Sequence, residues 1–169
     1  MVPDDVSAWL FDGASLTRRL RKCCQQRFHV ELLGQAWQRP MFCERRVLGV
    51  DDRGLALIRQ VRLYVDGQPK VYARTVMPKT SLTGRRRRLA RLGGRPLGEM
   101  LFRDRTMSRG DMEVAQIAPG AWVPQNVEQA NSYWGRRSVF RIGDKPLLVN
   151  EAFLPPLPSD KGFRIKRTI

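Results

Sequence analysis

The fold is decided by Trp134-Gly135-Arg136-Arg137-Ser138 and, after it, Gly143-Asp144-Lys145-Pro146-Leu147-Leu148-Val149-Asn150-Glu151-Ala152-Phe153-Leu154-Pro155. This stretch predicts a strand, a tight turn at Gly143-Asp144 and a second strand. Glu151 is the one charge on a strand face that otherwise carries leucine, valine and phenylalanine. Because a lone charge on an apolar face is costly unless it is paired, Glu151 is a candidate site residue.

A second hairpin is predicted earlier in the chain. Residues 55–65 alternate with a period of two, and Arg59 is the one charge on the more apolar face of that strand. The sequence Asp66-Gly67-Gln68-Pro69 predicts a turn. A return strand then runs over 71–77 and stops at Pro78.

The two hairpins resemble each other. Each contains two prolines nine residues apart, at 69 and 78 and at 146 and 155. Arg74 lies five residues after the first proline of its pair, and Glu151 lies five residues after the other. If the likeness is not a coincidence, we expect Arg74 and Glu151 at matching positions of one sheet.

The remaining elements complete an α+β pattern. Since helices and strands are mixed without regular βαβ alternation, we expect a single antiparallel sheet flanked by helices. The length of 169 residues suits one domain over 1–169, with 156–169 as a basic C-terminal tail. The other predicted elements are helices through Trp9 and Leu10, from near Ser15, over 85–92 and over 96–102, strands over 28–33, 47–50 and 112–117, a loop over 40–46, and a long irregular segment over 119–133.

The chain is strongly basic, with 31 Lys and Arg against 16 Asp and Glu and a formal net charge of +15. Three explanations stay open: binding to nucleic acid or a membrane surface, a positive cleft that attracts a small anion, or charges that are simply solvated. For the run Arg85–Arg88 two explanations are open, a solvated helix face or a phosphate- or RNA-binding patch. The scatter of basic residues along the chain argues against a nucleic-acid-binding arm.

The three cysteines and the single histidine exclude several chemistries. Cys23, Cys24 and Cys43 form no CxxC motif and no disulfide framework. With only His29 available, a zinc site and a Ser-His-Asp triad are not expected. The N-terminus is acidic, and no apolar run approaches the roughly 18 residues of a membrane span. We therefore expect a soluble cytoplasmic protein.

Arg59, Arg74 and Glu151 form the candidate constellation. One interpretation is a buried ion-pair network among them. The other is a closed pocket in which two guanidinium groups bind carboxylates and one carboxylate accepts a hydrogen bond from a hydroxyl. Arginine suits the second role because its planar fork binds a carboxylate through two parallel hydrogen bonds.

The sequence resembles the chorismate pyruvate-lyase family. The resemblance spans most of the chain and is carried by motifs in the family's order. WGRRS followed by GxKPLLxxExFLP is the most specific of these. The motifs are LFDGASLT (10–17), IR (58–59), DGQP (66–69), ARTVMP (73–78), PLG (96–98), LF (101–102), WGRRS (134–138) and KPLL (145–148) through Glu151 to FLP (153–155).

The resemblance implies a small ligand buried under two flaps, with no metal or organic cofactor. It implies that Arg59 and the backbone N–H groups of Leu16 and Leu97 bind the ring carboxylate. From the chemistry of the reaction we expect catalytic as well as binding roles for Arg74 and Glu151. Arg74 would bind a second anionic group and stabilise charge on the departing oxygen, and Glu151 would meet the ring hydroxyl.

The implied function is a lyase that converts chorismate to 4-hydroxybenzoate and pyruvate, the first committed step of ubiquinone biosynthesis. A non-catalytic ligand-sensing module of the same fold and a basic nucleic-acid-binding protein are the alternatives. For the lyase we expect a monomer whose partners are the substrate and product, without nucleic acid. This chain departs from the family at Leu16, where methionine is common, and in the length of 119–133 and of the tail.

Overall fold

The computed structural model describes residues 2–118, 120, 122–123 and 132–158. These residues form a six-stranded antiparallel sheet with the order β1-β2-β3-β6-β5-β4, which confirms the predicted α+β fold. Most of segment 119–133 and of the tail 156–169 lies outside the described residues, and the single-domain assignment stays a prediction. The strands are β1 (Phe28–Gln38), β2 (Ala56–Val65), β3 (Gln68–Pro78), β4 (Met107–Ile117), β5 (Tyr133–Ile142) and β6 (Lys145–Phe153).

The helices are short. As predicted, α2 begins directly after Ser15, whose hydroxyl accepts a hydrogen bond from the backbone N–H of Arg18 at 3.4 Å. None of the helices in the described part of the chain is long and apolar enough to cross a membrane. The α-helices are α1 (Asp4–Leu10), α2 (Leu16–Cys23), α3 (Phe42–Leu48) and α4 (Leu97–Leu101), and the 3₁₀ helices span Lys79–Ser81 and Gly84–Arg91.

Helix α3 corrects the prediction of a loop over 40–46 and a strand over 47–50. The carboxylate of Glu44 accepts a hydrogen bond from the backbone N–H of Met41 at 2.9 Å and so caps the first turn. Gly49 ends the helix in the left-handed conformation, with φ 64°. Glu44 and Leu48, four residues apart, are the buried side chains of this helix.

The two faces of the sheet are covered differently. On one face, α1 and α2 pack over one end of the sheet, and the 3₁₀ helix Gly84–Arg91 packs with α4 over the other. The other face packs against α3 and contains Ile58 and Val76. The first face therefore has two separate hydrophobic clusters with a space between them.

A β-bulge distinguishes the two hairpins. Next to the turn, Val65 is opposite Gln68, but beyond the bulge Leu63 is opposite Val71. Lys70 is thus an extra residue in β3. The β5–β6 hairpin keeps one register from its turn to its end.

The bulge decides the side on which Arg74 lies. It places Thr75 opposite Arg59, so Arg74 is on the other face of the sheet. Across β3 and β6, Ala73 is opposite Glu151. The prediction that Arg74 and Glu151 occupy matching positions is therefore wrong by one residue.

Candidate functional site

A cleft lies between the two hydrophobic clusters on the helix-covered face of the sheet. Its empty space, counted with its opening to solvent, is about 600 Å³. Apolar side chains make up most of the wall, as is usual for small-molecule sites. The polar and charged side chains in its lining are Thr17, Arg59, Thr75, Arg109, Arg136 and Glu151.

Arg59 is a buried cation in this wall, with 1% of its surface exposed. Its Nη2 donates to the carbonyl oxygens of Gly93 and Arg95, both at 2.9 Å. Burial lowers the pKa of Arg59 to about 10. Within the described residues its Nε has no hydrogen-bond partner. A buried guanidinium with an unused donor is suited to bind an anion.

Glu151 reaches the same cleft from β6 and is held by Arg136 of β5. Arg136 Nε donates to Glu151 Oε2 at 2.6 Å. Arg136 Nη1 also donates to the carbonyl oxygens of Trp9, Leu10 and Asp12, at 2.9, 3.2 and 2.6 Å. Arg136 therefore fixes the Glu151 side chain and ties α1 to the sheet, while Glu151 Oε1 forms no hydrogen bond to the described residues.

Arg136 belongs to the WGRRS motif, but no role was predicted for this residue. The sequence nevertheless contained a signal that places Arg136 beside Glu151. The tight turn at Gly143-Asp144 sets a hairpin register in which Arg136 is directly opposite Glu151.

Arg109 of β4 is a third arginine in the cleft, and it was not predicted because the expected strand began only at 112. Its Nε donates to Ser138 Oγ at 3.0 Å, and its Nη1 donates to the Gly13 carbonyl at 3.1 Å. Burial, and then the nearby charge of Arg136, lowers the pKa of Arg109. Two of its nitrogens are thus fixed by neutral oxygen atoms.

Leu16 and Leu97 both line the cleft, as the resemblance led us to expect. Leu16 is the first residue of α2, and Leu97 is the first residue of α4. The N–H groups in the first turn of a helix have no partner within the helix. The cleft is therefore bordered by two helix N-termini.

Arg74 does not line this cleft, and its binding and catalytic roles stay a prediction. On the opposite face, its Nε and Nη2 donate to Glu44 Oε1 and Oε2 at 2.8 and 3.1 Å. Asn150 Nδ2 donates to the Arg74 carbonyl at 3.2 Å. Arg74 and Glu44 form a buried ion pair that fastens α3 to the sheet.

The interpretation of Arg59, Arg74 and Glu151 as one ion-pair network is wrong. The pairs formed are Arg74–Glu44 and Arg136–Glu151, on opposite faces. Arg59 joins neither of them.

The register fixes the spacing of Arg59 and Glu151. Glu151 on β6 is opposite Ala73 on β3, and Ala73 is opposite Val61 on β2. Because Arg59 is two residues before Val61, Arg59 and Glu151 are two strands apart and offset by two residues. With strands about 4.8 Å apart and a rise of about 3.4 Å per residue, their Cα atoms are about 12 Å apart. Both side chains lie on one face and point into a shared space, which leaves room for a six-membered ring between their tips.

Comparison with known proteins now gives the family. The sequence model of the family described as chorismate lyase matches residues 1–162. The chain belongs to the chorismate lyase family. This is an enzyme family, and the assignment confirms the resemblance found in the sequence.

Two relatives show how close this chorismate lyase family member is to others. A protein of Methylococcus capsulatus, named probable chorismate pyruvate-lyase, is 40% identical over 157 residues, which are 91% of this chain and 97% of the relative. A Pseudomonas aeruginosa protein of the same name is 41% identical over 162 residues, 96% of this chain and 90% of the relative.

Solved structures share the fold at low identity. PhnF from Mycobacterium smegmatis superposes with a TM-score of 0.66 at 14% identity, over 88% of this chain and 67% of that chain. The ligand-binding domain of a GntR-family transcriptional regulator from Bordetella bronchiseptica has a TM-score of 0.59 at 16% identity, over 82% of this chain and 89% of that domain. At such identity these likenesses support the fold of this family member alone.

Proposed function

We propose that this chain is a chorismate pyruvate-lyase that converts chorismate to 4-hydroxybenzoate and pyruvate. The observation that carries the proposal is the cleft in which Arg59, without a carboxylate partner among the described residues, shares one wall with Glu151. Family membership and the names of the relatives support the same substrate.

In this proposal the two ends of the ring are recognised by different groups. The ring carboxylate binds to Arg59 and to the first N–H groups of α2 and α4, at Leu16 and Leu97. Arginine and helix N-termini both favour an anion. The ring hydroxyl donates to Glu151 Oε1, because Oε2 is occupied by Arg136.

The proposed reaction needs orientation more than a strong nucleophile. The bond between a ring carbon and the ether oxygen breaks, the neighbouring hydroxyl-bearing carbon loses a proton, and the released enolpyruvate takes up a proton to give pyruvate. Formation of the aromatic ring drives the reaction. The enzyme contributes by holding the side chain in a reactive position and by stabilising charge on the departing oxygen.

The wider setting remains part of the proposal. The 4-hydroxybenzoate produced would supply ubiquinone biosynthesis. We expect the chain to work in the cytoplasm as a monomer, without a metal or organic cofactor, and with segments over the cleft that open to release the product.

Incubation of the purified chain with chorismate tests the proposal. Pyruvate is followed with lactate dehydrogenase and NADH, and 4-hydroxybenzoate is quantified by chromatography, with EDTA present throughout. We expect equal amounts of both products, and a large loss of rate in Glu151→Gln. Binding of chorismate without conversion would contradict the lyase and favour a ligand-sensing module.

A further inference from the structure

The charges that line the cleft do not cancel. They are Arg59, Arg109, Arg136 and Glu151, and the ion pair of Arg136 with Glu151 leaves two positive charges. In the described part of the chain, neither Arg59 nor Arg109 has a carboxylate within ion-pair distance. Since uncompensated charge in a partly buried space is costly, the cleft is built for a ligand with two negative charges.

The two unpaired cations lie at different places in the cleft. Arg59 is on β2, whereas Arg109 is on the edge strand β4, four strand positions away. At about 4.8 Å per strand, their strands are about 19 Å apart along the sheet, and both side chains line the same cleft. Two cations anchored on strands this far apart suit a ligand with one carboxylate on a ring and another on a side chain.

Arg109 is held ready for an anion. Its Nε and Nη1 are fixed by Ser138 and Gly13, and its guanidinium carbon lies 5.1 Å from the centre of the Phe140 ring. Its Nη2 forms no hydrogen bond to the described residues. The anchored and partly desolvated guanidinium therefore keeps a donor for a charge-assisted hydrogen bond.

We infer that Arg109 binds the carboxylate of the three-carbon side chain of the substrate, while Arg59 binds the carboxylate of its ring. The inference rests on the proposed function, and it gives Arg109 the anion-binding role that was predicted for Arg74, which lies on the other face of the sheet. The aromatic product has a single carboxylate and leaves Arg109 without a partner. Arg109 is therefore a group that distinguishes substrate from product.

The test compares two ligands in Arg109→Gln. We expect kcat/KM for chorismate to fall by about 10- to 100-fold, as for loss of a charge-assisted hydrogen bond. The dissociation constant of 4-hydroxybenzoate, measured by calorimetry, should change less than about threefold. Arg59→Gln should weaken both ligands. Arg141→Gln, which removes the same charge from an exposed position of β5, should change neither.

The outcomes separate this inference from its alternatives. Equal loss for both ligands in Arg109→Gln would overturn it, because it would mean that Arg109 only supports the Gly13 loop and β5. No change for chorismate would overturn it as well. If the unaltered chain converts no chorismate, the lyase proposal fails, but calorimetry with chorismate in place of turnover still tests whether Arg109 selects the dianion.

Discussion

Replacing Arg136 by methionine tests the network that holds the site together. Methionine keeps much of the apolar length of the side chain but removes all donors. The change would leave Glu151 without its ion-pair partner, and three backbone carbonyl oxygens of residues 9, 10 and 12 without this donor. Both the acid of the site and the attachment of α1 depend on this one guanidinium.

The magnitude follows from these contacts. Breaking one side of a buried ion pair costs about 3–5 kcal/mol. Loss of the donor to the three carbonyl oxygens adds at least about 1 kcal/mol in total. We therefore expect Arg136→Met to lower the free energy of unfolding by about 4–6 kcal/mol. For a chain of this length, the melting temperature should fall by about 10–20 °C.

The neighbouring arginine gives a matched control. Arg137 is paired with Glu113, but their side chains are 28% and 57% exposed, so Arg137→Met should cost less than about 1 kcal/mol. Urea unfolding followed by tryptophan fluorescence measures both variants. Equal losses of stability would refute the claim that the Arg136 network anchors α1 and Glu151.

Three further predictions concern the rest of the fold. Arg74→Met should lower the free energy of unfolding in urea by about 3–5 kcal/mol, and adding Glu44→Leu should recover most of this stability. If the stable double variant has lost its turnover, Arg74 belongs to the site. Three backbone N–H groups hold the pKa of Asp66 well below its usual range, so its stabilising effect is complete above about pH 4 and is lost as the pH falls further. In Asp66→Asn the urea concentration at the midpoint of unfolding should therefore fall less steeply between about pH 4 and about pH 2 than in the unaltered chain. The same pH dependence in both chains would contradict this linkage. Gly135→Ala would place a Cβ 2.8 Å from the Glu151 carbonyl oxygen and should cost about 1–3 kcal/mol; a variant as stable as the unaltered chain would show that the strands can shift there at no cost.

Local patterns were enough to predict most of the sheet. The alternation over 55–65 and the turns at 66–67 and 143–144 gave both central hairpins. The error over 40–50 has a physical cause. The pattern of Val47, Leu48 and Val50 predicts a short strand. The carboxylate of Glu44 instead caps a helix and forms an ion pair with Arg74, which is 30 residues away. The tertiary ion pair helps to hold that short helix against the sheet, and a local pattern does not contain it.

The site was predictable only in part, and the bulge in β3 explains why. A two-residue turn without a bulge would place Arg74 opposite Arg59 and on the same face. The extra residue Lys70 reverses the side of every following residue in β3 relative to β2. The hairpin from β5 to β6 has no such insertion, so Glu151 and its partner Arg136 follow from the turn alone. Arg109 was beyond reach because it lies on an edge strand with a weak alternation.

A crystal structure of the chain with bound 4-hydroxybenzoate tests the central claim most directly. We predict that the ring lies in the cleft between the two hydrophobic clusters, with its carboxylate on Arg59 and its hydroxyl on Glu151. A ligand bound on the opposite face beside Arg74 and Glu44, or in the cleft with its two ends exchanged, would contradict this account.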